Sequence, residues 1–533
     1  MESRVLFEEA IEKGEQKKGS IEFKEQLDPN FHLVDERRQS LVAQLRHRVL
    51  SGEGEATYII GVTDDGDIKG ISEEAFSDTI SVLSDIASEA DAHISNTESF
   101  TVNNSSKLVG MITIEEGIES NIHVNNHLVV GTAGHVDHGK STLVGSLVTG
   151  SSDNGKGKLR SYLDVQPHEI KRGLSADLSY AVYGFDNTGS ALRTENPSRN
   201  QDRSDIVKNA SRVVSFVDTV GHKPWLSTTI RGLVGQRLDY GLLAISATKG
   251  PTETTKEHLG VMLAMELPTI VAITKTDLVD EDRVSEVERE IEKLLREVNC
   301  VGLSAERYEL DTIKSEIDSS TVPIVQTSAV SGAGIDTLDN LFRDLPKQKV
   351  DEVSKEFQMY IDKRYLVDGV GTVASGTIKS GSLEAGDTIY VGPTADGEYI
   401  ETKARSIEIH YHRVTEASSG ELVSVALQNV NKEDLKRGMI ITKDPPTPTK
   451  KFKADVMILN HPTSISDGYE PVIHLETISE SVMLDLDGSQ ILPGDTGEIT
   501  VEFKSQPFAI EEGQRFIFRE GESKGVGTVK ECL

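Results

Sequence analysis

Residues Gly134 to Ser141 read Gly-His-Val-Asp-His-Gly-Lys-Ser and match the pattern of a phosphate-binding loop. In such a loop, backbone N–H groups wrap the phosphates. The lysine, here Lys140, reaches the outer two, and the hydroxyl after it, here Ser141, ligates magnesium. Gly134, His135, Asp137, His138, Gly139, Lys140, Ser141 and Thr142 are therefore candidate nucleotide-binding residues. The loop alone does not choose between ATP and GTP. Thr274-Lys275-Thr276-Asp277 makes the choice, because the Asp277 carboxylate can accept hydrogen bonds from both the N1–H and the exocyclic amine of guanine. Adenine lacks that donor pair and would leave the carboxylate unpaired. Taken alone, T-K-x-D is more often a surface turn. Its weight comes from its place directly after an apolar strand.

Two further segments complete the set. Asp218-Thr219-Val220-Gly221-His222 ends an apolar strand, where the Asp218 carboxylate can hold magnesium through water and the Gly221 N–H can report the γ-phosphate. Thr327-Ser328-Ala329-Val330 follows another strand, and a backbone N–H of Ser328, Ala329 or Val330 can contact the guanine O6. Taken alone, Thr327–Val330 also fits an ordinary strand-to-helix turn. Their order and spacing together favour a nucleotide site.

These residues need a scaffold that places one motif after each of several strands. From His127 to about Leu345, short continuous apolar runs alternate with amphipathic helices, the pattern of a parallel sheet covered on both faces. Strands are expected at Leu128–Val130, Val213–Val217, Leu242–Ile245, Ile270–Ile273 and Pro323–Gln326. A helix beginning near Lys140 would direct the positive end of its dipole at an anion. Val284, Val287, Ile291, Leu294 and Val298 recur at helical spacing and mark a structural helix. Residues Phe185 to Asp205, rich in Ser, Asn, Asp and Gly, are expected to form a mobile loop. Its Arg193, Arg199 and Arg203 are either solvated charges or contacts to RNA phosphates.

Helical periodicity vanishes after Lys347, and strand-length runs separated by Gly, Asp and Pro imply two β-barrels with a seam at Lys443–Pro448. Residues before about 125 read as a small α+β domain. A strand is expected at Ser20–Phe23, helices at Asp35–Leu50 and Glu73–Ala92, and a hairpin across Tyr58–Val62 and Ile68–Ile71. The expected fold is multidomain: an N-terminal α+β domain (1–125), an α/β P-loop GTPase domain (126–348) and two β-barrel domains (350–446 and 449–533).

Composition bounds the function. The chain has 533 residues, enough for several domains, and no apolar run approaches the ~20 residues of a membrane span. Met1–Gly19 lacks the apolar core of a signal peptide, so a cytoplasmic address is expected. Cys300 and Cys532, the two cysteines, stand far apart without metal-ligand spacing and are expected to be buried, reduced thiols. A formal net charge of -31 argues against coating nucleic acid through the whole surface and is compatible with a saline cytoplasm.

Together with Arg172-Gly173-Leu174-Ser175, these motifs resemble those of a translational GTPase related to elongation factor Tu, and above all the GTP-binding protein 1 family. That family differs from elongation factor Tu in having T-K-x-D for N-K-x-D, a long segment between the phosphate loop and D-x-x-G, and an N-terminal extra domain. This chain has all three features. Further likeness lies at His168-Glu169-Ile170, Thr255–Gly260, Gly369–Val373 and Arg519-Glu520-Gly521. The resemblance covers nearly the whole chain and is weakest before residue 50. It implies that Ser141 and Ser175 ligate magnesium and that His222 positions the attacking water, fenced by Val136 and Leu174. Asp137 would help hold charge near the β and γ phosphates, with a monovalent cation as a further candidate. The implied cofactors are GTP/GDP and Mg2+, and the implied partners are the ribosome and aminoacyl-tRNA or other RNA, with a monomer expected. The N-terminal Glu22-Phe23-Lys24 and Asp64–Gly70 segments are faintly similar to a module of schlafen-like proteins, with no active site implied.

Two departures stand out: Ser175 where threonine is usual, and Thr274 where asparagine is usual. Serine keeps the metal-binding hydroxyl but loses a methyl that packs the closed switch. The sequence identifies no arginine finger, so slow intrinsic hydrolysis with acceleration by a partner is expected. The leading expectation is an elongation-factor-like GTPase. A GTP-gated RNA-surveillance or ribosome-rescue adaptor is the alternative, and a scaffold that barely hydrolyses GTP is a third reading.

Overall fold

The computed structural model describes residues 7, 11, 19–52, 54–90, 92–102, 106–116, 126–162, 178–219, 226–348, 355–367, 369–521 and 523–533. The chain divides into two compact units, residues 1–121 with 365–373 and residues 122–364 with 374–533.

In the first unit, β1 (Ile21–Lys24), α1 (Asp35–Ser51), β2 (Glu55–Ile60), α2 (Glu73–Glu89), β3 (Ala92–Thr101) and β4 (Leu108–Glu116) build a four-stranded sheet ordered β1-β2-β4-β3. Leu45 and Val49 of α1 and Leu83 and Ile86 of α2 share one core with Tyr58, Ile60, Ile112 and Ile114 of the sheet. The expected hairpin is reduced to a single bridge, Val62 to Ile68, around a turn in which the Gly66 N–H donates to the Thr63 carbonyl at 2.8 Å. The physical reason is that β2 already pairs with β1 on one edge and β4 on the other. No edge is left for a third partner.

The second unit opens with β5 (His127–Ala133), α3 (Lys140–Thr149), β6 (Ser179–Phe185), β7 (Ala191–Leu192), α4 (Asn200–Asn209) and β8 (Arg212–Asp218). It continues through α5 (Leu226–Val234), β9 (Tyr240–Ser246), α6 (Glu253–Ala264), β10 (Thr269–Thr274), α7 (Glu281–Glu297), β11 (Val301–Ser304), α8 (Leu310–Glu316), β12 (Thr321–Gln326) and α9 (Ile335–Asp344). The strand order is β11-β12-β10-β9-β5-β8-β6-β7, parallel from β11 to β8. β6 and β7 run antiparallel at the far edge. Every residue of β5, β8, β9 and β10 is buried, which explains why they read as unbroken apolar runs. Alternate residues feed two cores: Leu128, Val130 and Phe216 pack with Leu147 and Phe342 on one face, and Val129, Val217 and Leu243 pack with Ile291 and Leu295 on the other. In α7 the expected apolar face holds for four of five positions, while Val298 is the C-cap and 40% exposed.

The stretch from Phe185 to Asp205 departs from the expected loop, since it contains β7 and most of α4. α4 is ordered by what it buries: Ile206 and Val207 join a core made largely of first-barrel side chains, among them Ile407, Val414 and Val425. Two of its arginines have partners inside the fold. Arg193 is ion-paired with Asp339 and donates from Nε to the Leu147 carbonyl at 3.0 Å. Arg203 donates to the Pro197 carbonyl and faces the Tyr411 ring.

In the first barrel, Gln358–Tyr360 pairs with both Ile440–Thr442 and Gly371–Ser380, so the sheet returns on itself. Strands from Lys451 to Cys532 form a closed second barrel, and the proline seam between the barrels carries no strand. The first barrel is tied to β6, where the Tyr180 hydroxyl donates to Asp362 at 2.9 Å and Lys363 Nζ donates to the Leu178 carbonyl at 3.0 Å. The second barrel reaches α6 and its end through Arg515, which donates to the Ala264 carbonyl at 3.1 Å and pairs with Glu266. Both cysteines are free, with Cys300 buried and Cys532 only partly so. Among the described residues, no helix is long and apolar enough to cross a membrane.

Candidate active site

The loop after β5 turns on left-handed backbone at Gly134 (φ 138°), Asp137 (φ 62°) and Gly139 (φ 80°). Gly134 is required for space as well, because a Cβ there would lie 2.3 Å from the Ala244 carbonyl oxygen. Gly139 is the N-cap of α3, so the helix begins at Lys140 as expected. Lys140 Nζ folds back over the loop and donates to the carbonyls of Gly134 at 2.9 Å and His135 at 3.1 Å. Burial pushes its pKa down to about 8, with Asp218 pulling the other way.

Parallel pairing sets the next contact. β5 and β8 align Thr132 with Asp218. The Asp218 carboxylate, 2% exposed, accepts from the Thr132 hydroxyl on one oxygen and from Ser141 Oγ at 2.6 Å on the other. A hydroxyl and a carboxylate thus converge at the first turn of α3, an all-oxygen donor set of the kind a hard divalent cation takes.

At the other end of the cleft, Thr274 Oγ1 donates to the His138 carbonyl at 2.7 Å, tying the end of β10 to the phosphate loop. Lys275 then adopts left-handed backbone (φ 59°). The Asp277 carboxylate accepts from Ser328 Oγ at 2.6 Å, and the same Ser328 oxygen accepts the N–H groups of Val330 at 3.2 Å and Ser331 at 3.1 Å. One buried serine therefore fixes both the carboxylate and the loop beside it. Val136, Asp137, Lys140, Ser141, Asp277 and Ala329 line a single cavity of about 530 Å³, a size suited to a nucleotide. Lys249 Nζ stands 3.9 Å from the exposed Asp137 carboxylate.

Three residues that the motifs did not single out support this cavity. Thr132 is one, through its bond to Asp218. His258, on α6, accepts the Gly134 N–H on Nδ1 at 3.0 Å. Burial first, and then the nearby Lys140, holds its pKa at about 3, so the ring is neutral and available as an acceptor. His138 is likewise held at about 3 by burial, with His135 and Lys140 beside it. A Thr252–Thr255 capping box starts α6, and that pattern places position 258 on a helix. Nothing in the local sequence links it to a glycine more than a hundred residues earlier. The third is Asp153, whose N–H donates to the Ala329 carbonyl at 2.8 Å. Of the expected site residues, Leu174, Ser175, Gly221 and His222 lie outside the described residues.

Residues 125–363 match the family model described as the elongation factor Tu GTP binding domain, 371–442 that of elongation factor Tu domain 2, and 445–533 that of the elongation factor Tu C-terminal domain. GTP-binding protein 2 of Homo sapiens and that of Mus musculus are each 30% identical over 529 residues, covering 96% of this chain and 86% of the relative. GTP-binding protein 1 of Xenopus laevis is 29% identical over 519 residues, covering 93% and 77%. Among solved structures, a bacterial selenocysteine-specific elongation factor, EF-Sec, superposes with a TM-score of 0.57 at 23% identity. The match covers 76% of this chain and 58% of that one. Elongation factor SelB from Methanococcus maripaludis, in complex with the GTP analogue GppNHp, gives 0.54 at 21% identity, covering 76% and 80%. At these identities the two structures bear on the fold alone. The three matched domains and the near-full-length relatives lead to one conclusion: the chain is a GTPase and belongs to the GTP-binding protein 1 family of translational GTPases, related to elongation factor Tu.

Proposed function

We propose that this GTPase acts in translation like an elongation factor, binding aminoacyl-tRNA or a related RNA in its GTP state and hydrolysing GTP on the ribosome. The observation that carries the reading is the cavity in which Lys140, Ser141 and Asp218 meet at one end and Asp277 and Ser328 at the other, in a domain tied to two barrels. On this reading the nucleotide domain is 126–348, the barrels are 350–446 and 449–533, and residues 1–125 are an added domain.

Lys140 and the loop N–H groups of Gly134–Thr142 hold the phosphates, and Asp277 accepts the guanine N1–H and amine. The Ser328–Val330 backbone faces the guanine O6. Magnesium would be held by Ser141 and Ser175 directly and by Asp218 through water, and when bound it would neutralise charge on the outer phosphates. His222 orients the attacking water behind Val136 and Leu174, and the Gly221 N–H senses the γ-phosphate. Asp137 holds charge near the β and γ phosphates, where a monovalent cation can join it. The protein works as a monomer in the cytoplasm.

The test is single-turnover GTP hydrolysis with and without ribosomes, together with filter binding of charged and uncharged tRNA. Ribosomes should raise the rate, and His222→Ala should abolish that rise while leaving GTP affinity unchanged. tRNA binding indifferent to both GTP and the aminoacyl group would sink the delivery role and favour a surveillance or rescue adaptor.

A further inference from the structure

The segment between α3 and the residues around Ser175 carries a cation that the motifs leave without a role. Asp153, 6% exposed, is its organising residue. One carboxylate oxygen accepts the Gly157 N–H and the other the Leu159 N–H, each at 3.0 Å, closing residues 153–159 into a fixed turn. The Asp153 N–H is anchored on the Ala329 carbonyl at 2.8 Å, in the loop that would face the base. At its other end the turn is wedged against α3. Leu159 is 1% exposed, and its carbonyl oxygen would lie 2.7 Å from a Cβ placed on Gly145. The short 3-10 helix Leu159–Tyr162 is therefore held between the base loop and the helix that follows the phosphate loop.

This anchoring sets Arg160 on the wall of the same cavity as Lys140 and Ser141. Leu159, its neighbour in the chain, packs on Gly145, one helical turn along α3 from Ser141. A guanidinium matches phosphate oxygens with a planar fork that lysine lacks.

The geometry points to Arg160 as a phosphate-binding residue for the guanine nucleotide, supplied in cis by the Asp153-stapled turn. Asp153 acts as the positioning residue. This rests on the nucleotide reading of the cavity.

The test uses the full chain and measures affinities for GDP, GTP and guanosine, the last having the base but no phosphate. Arg160→Ala should weaken GDP and GTP by about tenfold or more, while guanosine affinity stays within about twofold. Arg160→Lys should restore only part of the loss, because a point charge does not fork. Unchanged GDP and GTP affinity in Arg160→Ala would overturn the proposal, and so would an equal loss for guanosine, which would mark a collapsed turn. Lys140→Ala is the control: if it too left GDP affinity unchanged, the nucleotide reading of the cavity would fail, a result distinct from failure at Arg160 alone.

Discussion

At the scale of single residues, the site depends on groups that must be charged or neutral in particular places. Asp277 is exposed and already bonded to Ser328, so its carboxylate is positioned before any base arrives. If Asp277 accepts from guanine as proposed, two charge-assisted hydrogen bonds are worth roughly 3–6 kcal/mol, so Asp277→Ala should weaken GDP binding by about a hundredfold or more in a fluorescent-nucleotide titration. Adenine nucleotide binding should not improve by a matching factor. Lys140 gives a second expectation. Without nucleotide its pKa is about 8, and an anionic phosphate beside it raises that value. Binding should therefore take up protons above about pH 8 and almost none near pH 7, which calorimetry in buffers of differing ionisation enthalpy resolves. Equal uptake at pH 7 and pH 9 would contradict it. Motif residues of this kind were legible because spacing alone fixes them. Thr274 was legible as a departure from asparagine but not in its effect: its hydroxyl bridges to the His138 carbonyl. Thr132 and His258 stayed hidden, because register and helix packing, not spacing, bring them to Asp218 and Gly134.

At the scale of elements, the buried parallel strands were readable from sequence because burial on both faces leaves an unbroken apolar run. What could not be read was structure that is polar in sequence and ordered only by a distant partner. α4, written Asn-Gln-Asp-Arg-Ser-Asp-Ile-Val-Lys-Asn, has two strongly apolar residues, and both enter the first-barrel core. The same holds at the hairpin after β2, where local turn chemistry was right but the strand edge was already taken. If Ile206 is what orders α4, Ile206→Ala should cost about 3 kcal/mol in urea unfolding. Arg199→Ala, which removes only an exposed pair with Asp202, should cost less than about 1 kcal/mol. Equal small effects would mean that α4 is held by something else.

At the scale of the whole molecule, protonation is the common currency. His127, His138, His258, His410 and His474 are all held below the ordinary 6.5 by burial, and His127 and His410 flank the same Ser215 hydroxyl. Unfolded chains bind those protons first, so stability should fall as pH drops below about 6.5. Asp239 and Glu421 work against this. Burial raises them to about 6 and about 7, so the folded state takes up their protons and gains stability over part of that range. Five groups outweigh two, so the urea midpoint should be lower at pH 5.5 than at pH 7.5. The comparison belongs at about 1 M salt, where a Debye length of about 3 Å mutes the acidic self-repulsion. A midpoint that rose on acidification would mean that the buried histidines are not neutral in the fold.

The clasp at the start of β6 has a mechanical meaning. Leu178 and Tyr180 come three and five residues after Ser175, and Lys363 and Asp362 grip them where the first barrel begins. If Ser175 belongs to a nucleotide switch, as proposed, the barrel is geared to it through a very short linkage, and whatever loads the barrel also loads the switch. For the RNA cargo proposed above, reciprocity would then make cargo and nucleotide each other's effectors: a cargo that prefers the GTP form would tighten GTP by the same factor by which GTP tightens the cargo.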